Sequence, residues 1–134
     1  MKTYTSAILF GILAIVSGCN SDDCDTSFSC ETVAPTYGTL TVSVTPNDQN
    51  PLVPIAVYIG DIEDSSLYFV DTIFQSTEYY VDLDVTYSGS ATYRDGSKTI
   101  IAIDGDRVRL KEEQNCELTC YTVKNGFLQL GLKP

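Results

Sequence analysis

The clearest signal in the chain is alternation. Leu40, Val42 and Val44 alternate with Thr39, Thr41, Ser43 and Thr45, a period of two rich in β-branched residues that predicts a half-buried strand. Residues 46–51 read as a turn bounded by prolines, and a second strand sets Ile55, Val57 and Ile59 on one face before an acidic loop over 60–66. Residues 67–74 read as a third strand. Tyr79, Val81, Leu83 and Val85 form the inward face of a fourth, with Tyr80, Asp82 and Asp84 outside and a break at Ser88 and Gly89. Tyr87, Ala91 and Tyr93 carry the alternation on to Asp95 and Gly96, a strong hairpin signal. Ile101 and Ile103 lie on the return strand, and Asp104 and Gly105 mark a further turn. Beyond it Val108 and Leu110 face inward while Arg107, Arg109 and Lys111 face water. Residues 111–115 read as a loop or helical turn. Residues 119–124 are expected to pair with 127–132 across Asn125 and Gly126.

No stretch sustains a helical period, so the pattern predicts an all-β domain: a single antiparallel sandwich of seven or eight strands, with a barrel as the other closed solution. A Trp between bridged cysteines, the immunoglobulin signature, is ruled out because the chain has no Trp. The early segment from Gly38 through Val44, and the later Tyr79-Tyr80-Val81-Asp82-Leu83 leading to Ser90-Ala91-Thr92-Tyr93, resemble the transthyretin-like sandwiches of carboxypeptidase regulatory and pilin-type domains. That resemblance implies a structural or adhesive module and brings no active-site motif.

The amino terminus is of another kind. Lys2 precedes the ten-residue apolar run 7–16, then small residues and a cysteine, the order of a secretory signal. The run is too short for a spanning helix, which needs about 20 residues. Val16-Ser17-Gly18-Cys19 resembles the bacterial lipobox, in which cleavage falls between Gly18 and Cys19 and the cysteine is lipidated with diacylglycerol and an acyl group such as palmitate. The following Asn20-Ser21-Asp22-Asp23 is similar to the acidic export signals of Bacteroidetes surface lipoproteins, with Ser21, Asp22 and Asp23 as its core. These resemblances imply residues 1–18 as signal peptide, 19–36 as a lipid-anchored tether and 37–134 as the folded domain. They place the protein in the outer membrane, exposed at the cell surface or facing the periplasm.

Charge narrows the partners. The chain carries 8 Lys or Arg against 18 Asp or Glu, a net charge of −10. Nucleic acid is a poor partner for such a surface, because phosphate affinity comes from Lys and Arg. No base occurs between residues 20 and 93, whereas bases slightly outnumber acids from Arg94 onward.

With Cys19 lipidated, Cys24, Cys30, Cys116 and Cys120 remain, an even number in an exported chain, and two disulfides follow. Spacing does not fix the pairing. On a straight strand Cys116 and Cys120 would stand about 13 Å apart, beyond the roughly 7 Å a disulfide spans. Either the backbone turns between them or each joins an amino-terminal cysteine, the arrangement the spacing favours.

Chemistry is sparse. The chain has no His, which excludes Ser-His-Asp and Cys-His nucleophiles and imidazole ligands. Asp82 and Asp84 would sit on one strand face like a glycosidase pair, but a sandwich this small offers no cleft for one. Asp61, Glu63 and Asp64, or Asp104 with Asp106, could present oxygens to calcium, yet neither set has the EF-hand spacing and both read more simply as solvated loops. No cofactor is implied. Tyr58, Tyr80 and Tyr121 alternate outward and could stack on sugars beside acids. The expected role is therefore a non-catalytic module meeting a protein partner at the cell surface, or alternatively a glycan.

Overall fold

The structure is a computed structural model, and it describes residues 29–64 and 66–133. The expected signal peptide, the expected cleavage site at Gly18 and Cys19, the expected export residues Ser21, Asp22 and Asp23, and Cys24 lie outside the described residues.

Eight strands form two sheets: β1 (Tyr37–Ser43), β2 (Val53–Ile59), β3 (Ser66–Ile73), β4 (Thr77–Asp82), β5 (Val85–Asp95), β6 (Lys98–Asn115), β7 (Leu118–Lys124) and β8 (Gly126–Gln129). One sheet has the order β4-β1-β8 and the other β3-β2-β5-β6-β7. All pairings are antiparallel except β1 with β8. The sheets close over Leu40, Val42, Val53, Ile55, Val57, Val81, Tyr87, Ala91, Tyr93, Val108, Leu128 and Leu130, most of them residues that alternation assigns inward; Val53 joins them, and Ile59 at the end of β2 is exposed. The domain is thus an all-β sandwich.

Two tyrosines lie wholly inside this core, and each hydroxyl has a partner. Tyr93 Oη donates to the Leu130 carbonyl at 2.7 Å and accepts from the Thr45 amide at 3.2 Å. Tyr87 Oη donates to the Asp82 carbonyl. Asn50, also buried, exchanges hydrogen bonds with the backbone of Arg94 and so holds the β1–β2 loop against the end of β5. Among the described residues no buried side-chain polar atom lacks a partner, as a low-dielectric interior requires.

Five expectations about connections are corrected. The fourth strand does not run through Val85: it ends at Asp82, and the chain crosses between sheets at Leu83 and Asp84, where Asp84 takes a positive φ of 59°, a conformation Asp tolerates better than most residues. Conversely, Ser88 and Gly89 continue β5 without a break. Gly89 is there for space, since a Cβ would come within 2.8 Å of a Leu128 methyl. Asp104 and Gly105 make no turn, and residues 111–115 no loop, because β6 runs unbroken for 18 residues, pairing first with β5 and then with β7. Finally, Asn125 and Gly126 carry the chain from one sheet to the other instead of closing a hairpin: β7 pairs with β6, and β8 pairs with β1. The Asn125 side chain accepts from the Thr39 amide at 3.0 Å, which joins this crossover to β1.

The hairpin at Asp95 and Gly96 is present. Asp95 pairs with Lys98, so Gly96 and Ser97 are its central residues, and of these only Gly96 has positive φ, as a type II′ turn requires.

Candidate functional site

The outer face of the five-stranded sheet is where the molecule departs from inward-apolar, outward-polar patterning. On β2 the inward residues are Val53, Ile55 and Val57, so Pro54, Ala56 and Tyr58 point outward. Register extends this face in rows. Val70, Ala56, Ser90 and Ile103 stand side by side across β3, β2, β5 and β6, and Leu67, Tyr58, Ser88 and Gly105 form the row beside them. On the other side lie Thr72 opposite Pro54, and Thr92 opposite Ile101. None of these residues is charged. Val70 is 67% exposed, Ile101 59%, Ile103 57% and Leu67 57%.

The result is a trough. Small residues on β2 and β5 form the floor, and branched apolar side chains on β3 and β6 form the two walls. One depression of about 570 Å³ is lined by Pro54, Ile55, Ala56, Val70, Asp71, Thr72, Ser90 and Thr92, and another of about 350 Å³ opens beside Ser88, Ile103, Asp104 and Gly105, under the acidic loop at Asp61 and Glu63. The floor is braced from within, because Ser88 Oγ donates to the Gly60 carbonyl at 2.6 Å. Leaving more than half of each of these four branched side chains in water forgoes on the order of 1–2 kcal/mol each. Contiguous exposed apolar surface of this kind marks interaction sites.

The signal for this face was present in the sequence, in two runs that do not alternate: Leu67-Tyr68-Phe69-Val70 and Ile100-Ile101-Ala102-Ile103 are apolar at odd and even positions alike. A strand with both faces apolar is either covered on both sides or offers one side to a partner. A period of two defines only the inner face of such a strand.

The carboxylates singled out from sequence do other work. Asp104 and Asp106 point inward from β6 and meet β8: Asp104 Oδ2 accepts from the Gln129 amide at 2.7 Å and Asp106 Oδ2 from the Phe127 amide at 2.9 Å. Asp84 Oδ1 accepts from the Leu110 amide, and the crossover turn separates it from Asp82, so the two acids share no strand face. Asp61, Glu63 and Asp64 are all exposed in the β2–β3 loop. No group of three or more Cys, Asp or Glu side chains gathers among the described residues.

One further acid links the sheets at their open side. Asp71 of β3 accepts from the Tyr79 hydroxyl of β4 at 2.7 Å and from the Thr72 amide. The Tyr79 bond and then the amide hold its carboxyl below the ordinary value of 3.8, against a small desolvation effect. Burial first, and then Asp71, push the Tyr79 hydroxyl well above its own ordinary range.

Tyr58, Tyr80 and Tyr121 are not brought together. Tyr80 is 85% exposed on the outer face of the three-stranded sheet, whereas Tyr58 lies on the outer face of the other sheet, and Tyr121 on β7 bonds Glu31 through its amide.

The cysteines give a clear result. Cys30 and Cys120 form a disulfide with Cα atoms 5.4 Å apart, which brings an amino-terminal cysteine onto β7, and Cys116 is also disulfide-bonded. Next to the first bridge the Tyr121 amide donates to the Glu31 carbonyl at 2.8 Å. The segment from Cys30 thus lies along the outer edge of β7 and belongs to the folded body. Comparison with protein-family models, curated proteins and solved structures finds no match to this chain.

Proposed function

We propose that this protein is a non-catalytic, lipid-anchored lipoprotein of the outer membrane, exposed at the cell surface, whose β-sandwich is an interaction module in adhesion or envelope assembly. The observation that carries the interaction role is the trough on the five-stranded sheet, whose outward rows carry no charged side chain and which no described residue covers. A face that presents branched apolar walls over a floor of Ala, Ser, Thr and Pro offers contact area and no nucleophile or acid-base pair. The Cys30–Cys120 bridge supports export, since disulfides persist in oxidising compartments. The anchor rests on the lipobox at Val16-Ser17-Gly18-Cys19, where two or three acyl chains at about 0.8 kcal/mol per buried methylene would hold the domain on a bilayer. The sandwich architecture supports the resemblance to transthyretin-like modules.

Two measurements test the reading. Mass spectrometry of the native protein should find an acylated Cys19 as the first residue, and an unmodified thiol or a retained leader there would remove the anchor. Protease treatment of intact cells should strip the domain together with known surface proteins, and survival would place it on the periplasmic side. For the module itself, Ile101→Lys with Ile103→Lys should abolish the adhesion or assembly phenotype while leaving the melting temperature unchanged, because both side chains already stand in water.

A further inference from the structure

The four outer sheet edges are not treated alike. The edge of β7 is covered by the segment at Glu31 and fastened by the Cys30–Cys120 bridge. The edge of β8 is closed by the carboxylates of Asp104 and Asp106, which take the Gln129 and Phe127 amides that a neighbouring strand would take. The edge of β4 is six residues long and carries the exposed acids Glu78 and Asp82. These are the usual devices that keep an edge from pairing: cover, satisfied donors and charge.

The edge of β3 has less of this protection, its one interruption being a bulge at Tyr68, where the register with β2 shifts. Among the described residues nothing pairs with it on the side away from β2. It has no Pro, Lys or Arg over Ser66–Ile73, and its single acid, Asp71, is held by Tyr79 and by the Thr72 amide. Residues 67–70 carry no charge, with Leu67, Tyr68 and Val70 exposed, and Val70 is also one wall of the trough, so edge and face form one continuous surface.

We infer that β3 pairs antiparallel with β3 of a second copy of this chain, joining the two five-stranded sheets into one across a twofold axis. The inference rests on the reading of the domain as an interaction module and names its partner. Several observations favour a second copy. An edge strand is its own complement about a twofold, so the contact closes on itself without a second surface. Charge placement agrees: antiparallel pairing sends the acidic loops at Asp61, Glu63 and Asp64 to opposite ends of the contact, each beside the uncharged Phe74, Gln75 and Ser76 of the other molecule. Parallel pairing would set the two acidic loops side by side. Eight residues span about 26 Å of strand, so the contact belongs with weak pairs that bury less than about 1,200 Å² in total, suited to molecules concentrated on one membrane.

The test uses the full-length chain extracted from bacterial envelopes in mild detergent. Sedimentation velocity should show a concentration-dependent dimer for the wild type. Val70→Lys should weaken it at least tenfold with an unchanged melting temperature, since Val70 faces solvent in the single molecule. In intact cells Val70→Cys should be joined to itself by a bismaleimide of about 10 Å reach, the spacing of three strand residues, whereas Lys98→Cys on the far hairpin should not. A monomer at every concentration, a dimer indifferent to Val70→Lys, or crosslinking of Val70→Cys only to a different protein would each overturn the pairing. The anchor at Cys19 and the role of Ile101 and Ile103 would still stand or fall by their own measurements.

Discussion

Asp104 Oδ2 lies 2.7 Å from the Gln129 amide, and with Asp106 two residues on it supplies β8 with the acceptors that a ninth strand would otherwise provide. β8 is only four residues long, and its other side pairs with β1. The carboxylates therefore hold the strand that delivers Leu128 and Leu130 to the core. Asp104→Ala and Asp106→Ala should each cost on the order of 1–2 kcal/mol, the range for a hydrogen bond to a charged acceptor with some water access. Asp104→Asn should cost less, because its amide oxygen still accepts. The double Ala variant should fall short of the sum, since both act on one strand. Urea unfolding checks all four values.

The Asp71–Tyr79 bond between the two sheets sets a pH window. A carboxyl held below its ordinary value contributes stability that is present above that value and is lost as pH falls through the lowered one. The Tyr79 hydroxyl, held above its ordinary value of 10.0, contributes below that pH and loses its contribution as pH rises through the raised one. Burial, then the neighbouring Tyr68 and Asp82, push Tyr87 up to about 12, and it acts in the same direction. The melting temperature should be level from about pH 5 to 9 as far as these groups decide it. It should drop below pH 4 and again above pH 10. Tyr79→Phe should reduce the acidic slope attributable to Asp71, leaving the share due to the Thr72 amide, and remove part of the alkaline one, which a pH series of thermal melts on both proteins would read.

The inner face of nearly every strand was legible from period two alone, because Leu40, Ile55, Val81, Tyr93, Val108 and Leu128 each sit in an alternating stretch where only one face can be buried. The connections were less so, for reasons particular to each. Asp104 and Gly105 have turn composition, yet the aspartate is there to reach β8 and the glycine stands beside Ser88 in mid-strand. Asn125 and Gly126 have hairpin composition, yet residues 127–130 find their partner in β1, a contact between distant parts of the chain that no local signal encodes. The trough was legible only in part: the two non-alternating runs mark its walls, but that Val70 and Ile103 belong to one surface is set by strands that share no hydrogen bond and meet only through Ala56 and Ser90.

The buried Tyr93 hydroxyl joins three segments, and its loss should be felt accordingly. It donates to Leu130 and accepts from Thr45, so Tyr93→Phe leaves a buried carbonyl and an amide without their partner while preserving the ring. A cost of about 1–2 kcal/mol is expected, with the denaturant slope unchanged because the packed surface is unchanged. A neutral result would mean that water or a shifted backbone satisfies both groups.

Gly89 gives the opposite kind of test, one of space. A Cβ there would meet Leu128 Cδ1 at 2.8 Å and Leu130 Cδ1 at 3.1 Å, and both leucines are fully buried. Neither methyl can retreat without displacing other core atoms, so Gly89→Ala should destabilise by about 1–3 kcal/mol, although Ala normally suits a strand better than Gly. Gly89→Ala combined with Leu128→Val should recover part of that loss, which a double-mutant cycle in urea would measure.

Cys30 and Cys120 close a loop of 90 residues, and the bridge acts on both states of the protein. Cys30→Ser with Cys120→Ser should lower stability by about 2–4 kcal/mol, chiefly by freeing the unfolded chain. The double replacement leaves no odd thiol to exchange with the bridge at Cys116. A folded-state effect is separable, because the Tyr121 amide reaches the Glu31 carbonyl at 2.8 Å right beside the sulfurs. If the bridge holds that segment on β7, the Tyr121 amide should exchange its hydrogen faster in the variant under native conditions, while the Val57 amide at the centre of the sheet follows global stability alone. Equal acceleration at the two sites would mean that the staple works only through the unfolded chain, and that the edge of β7 is held by its own hydrogen bonds.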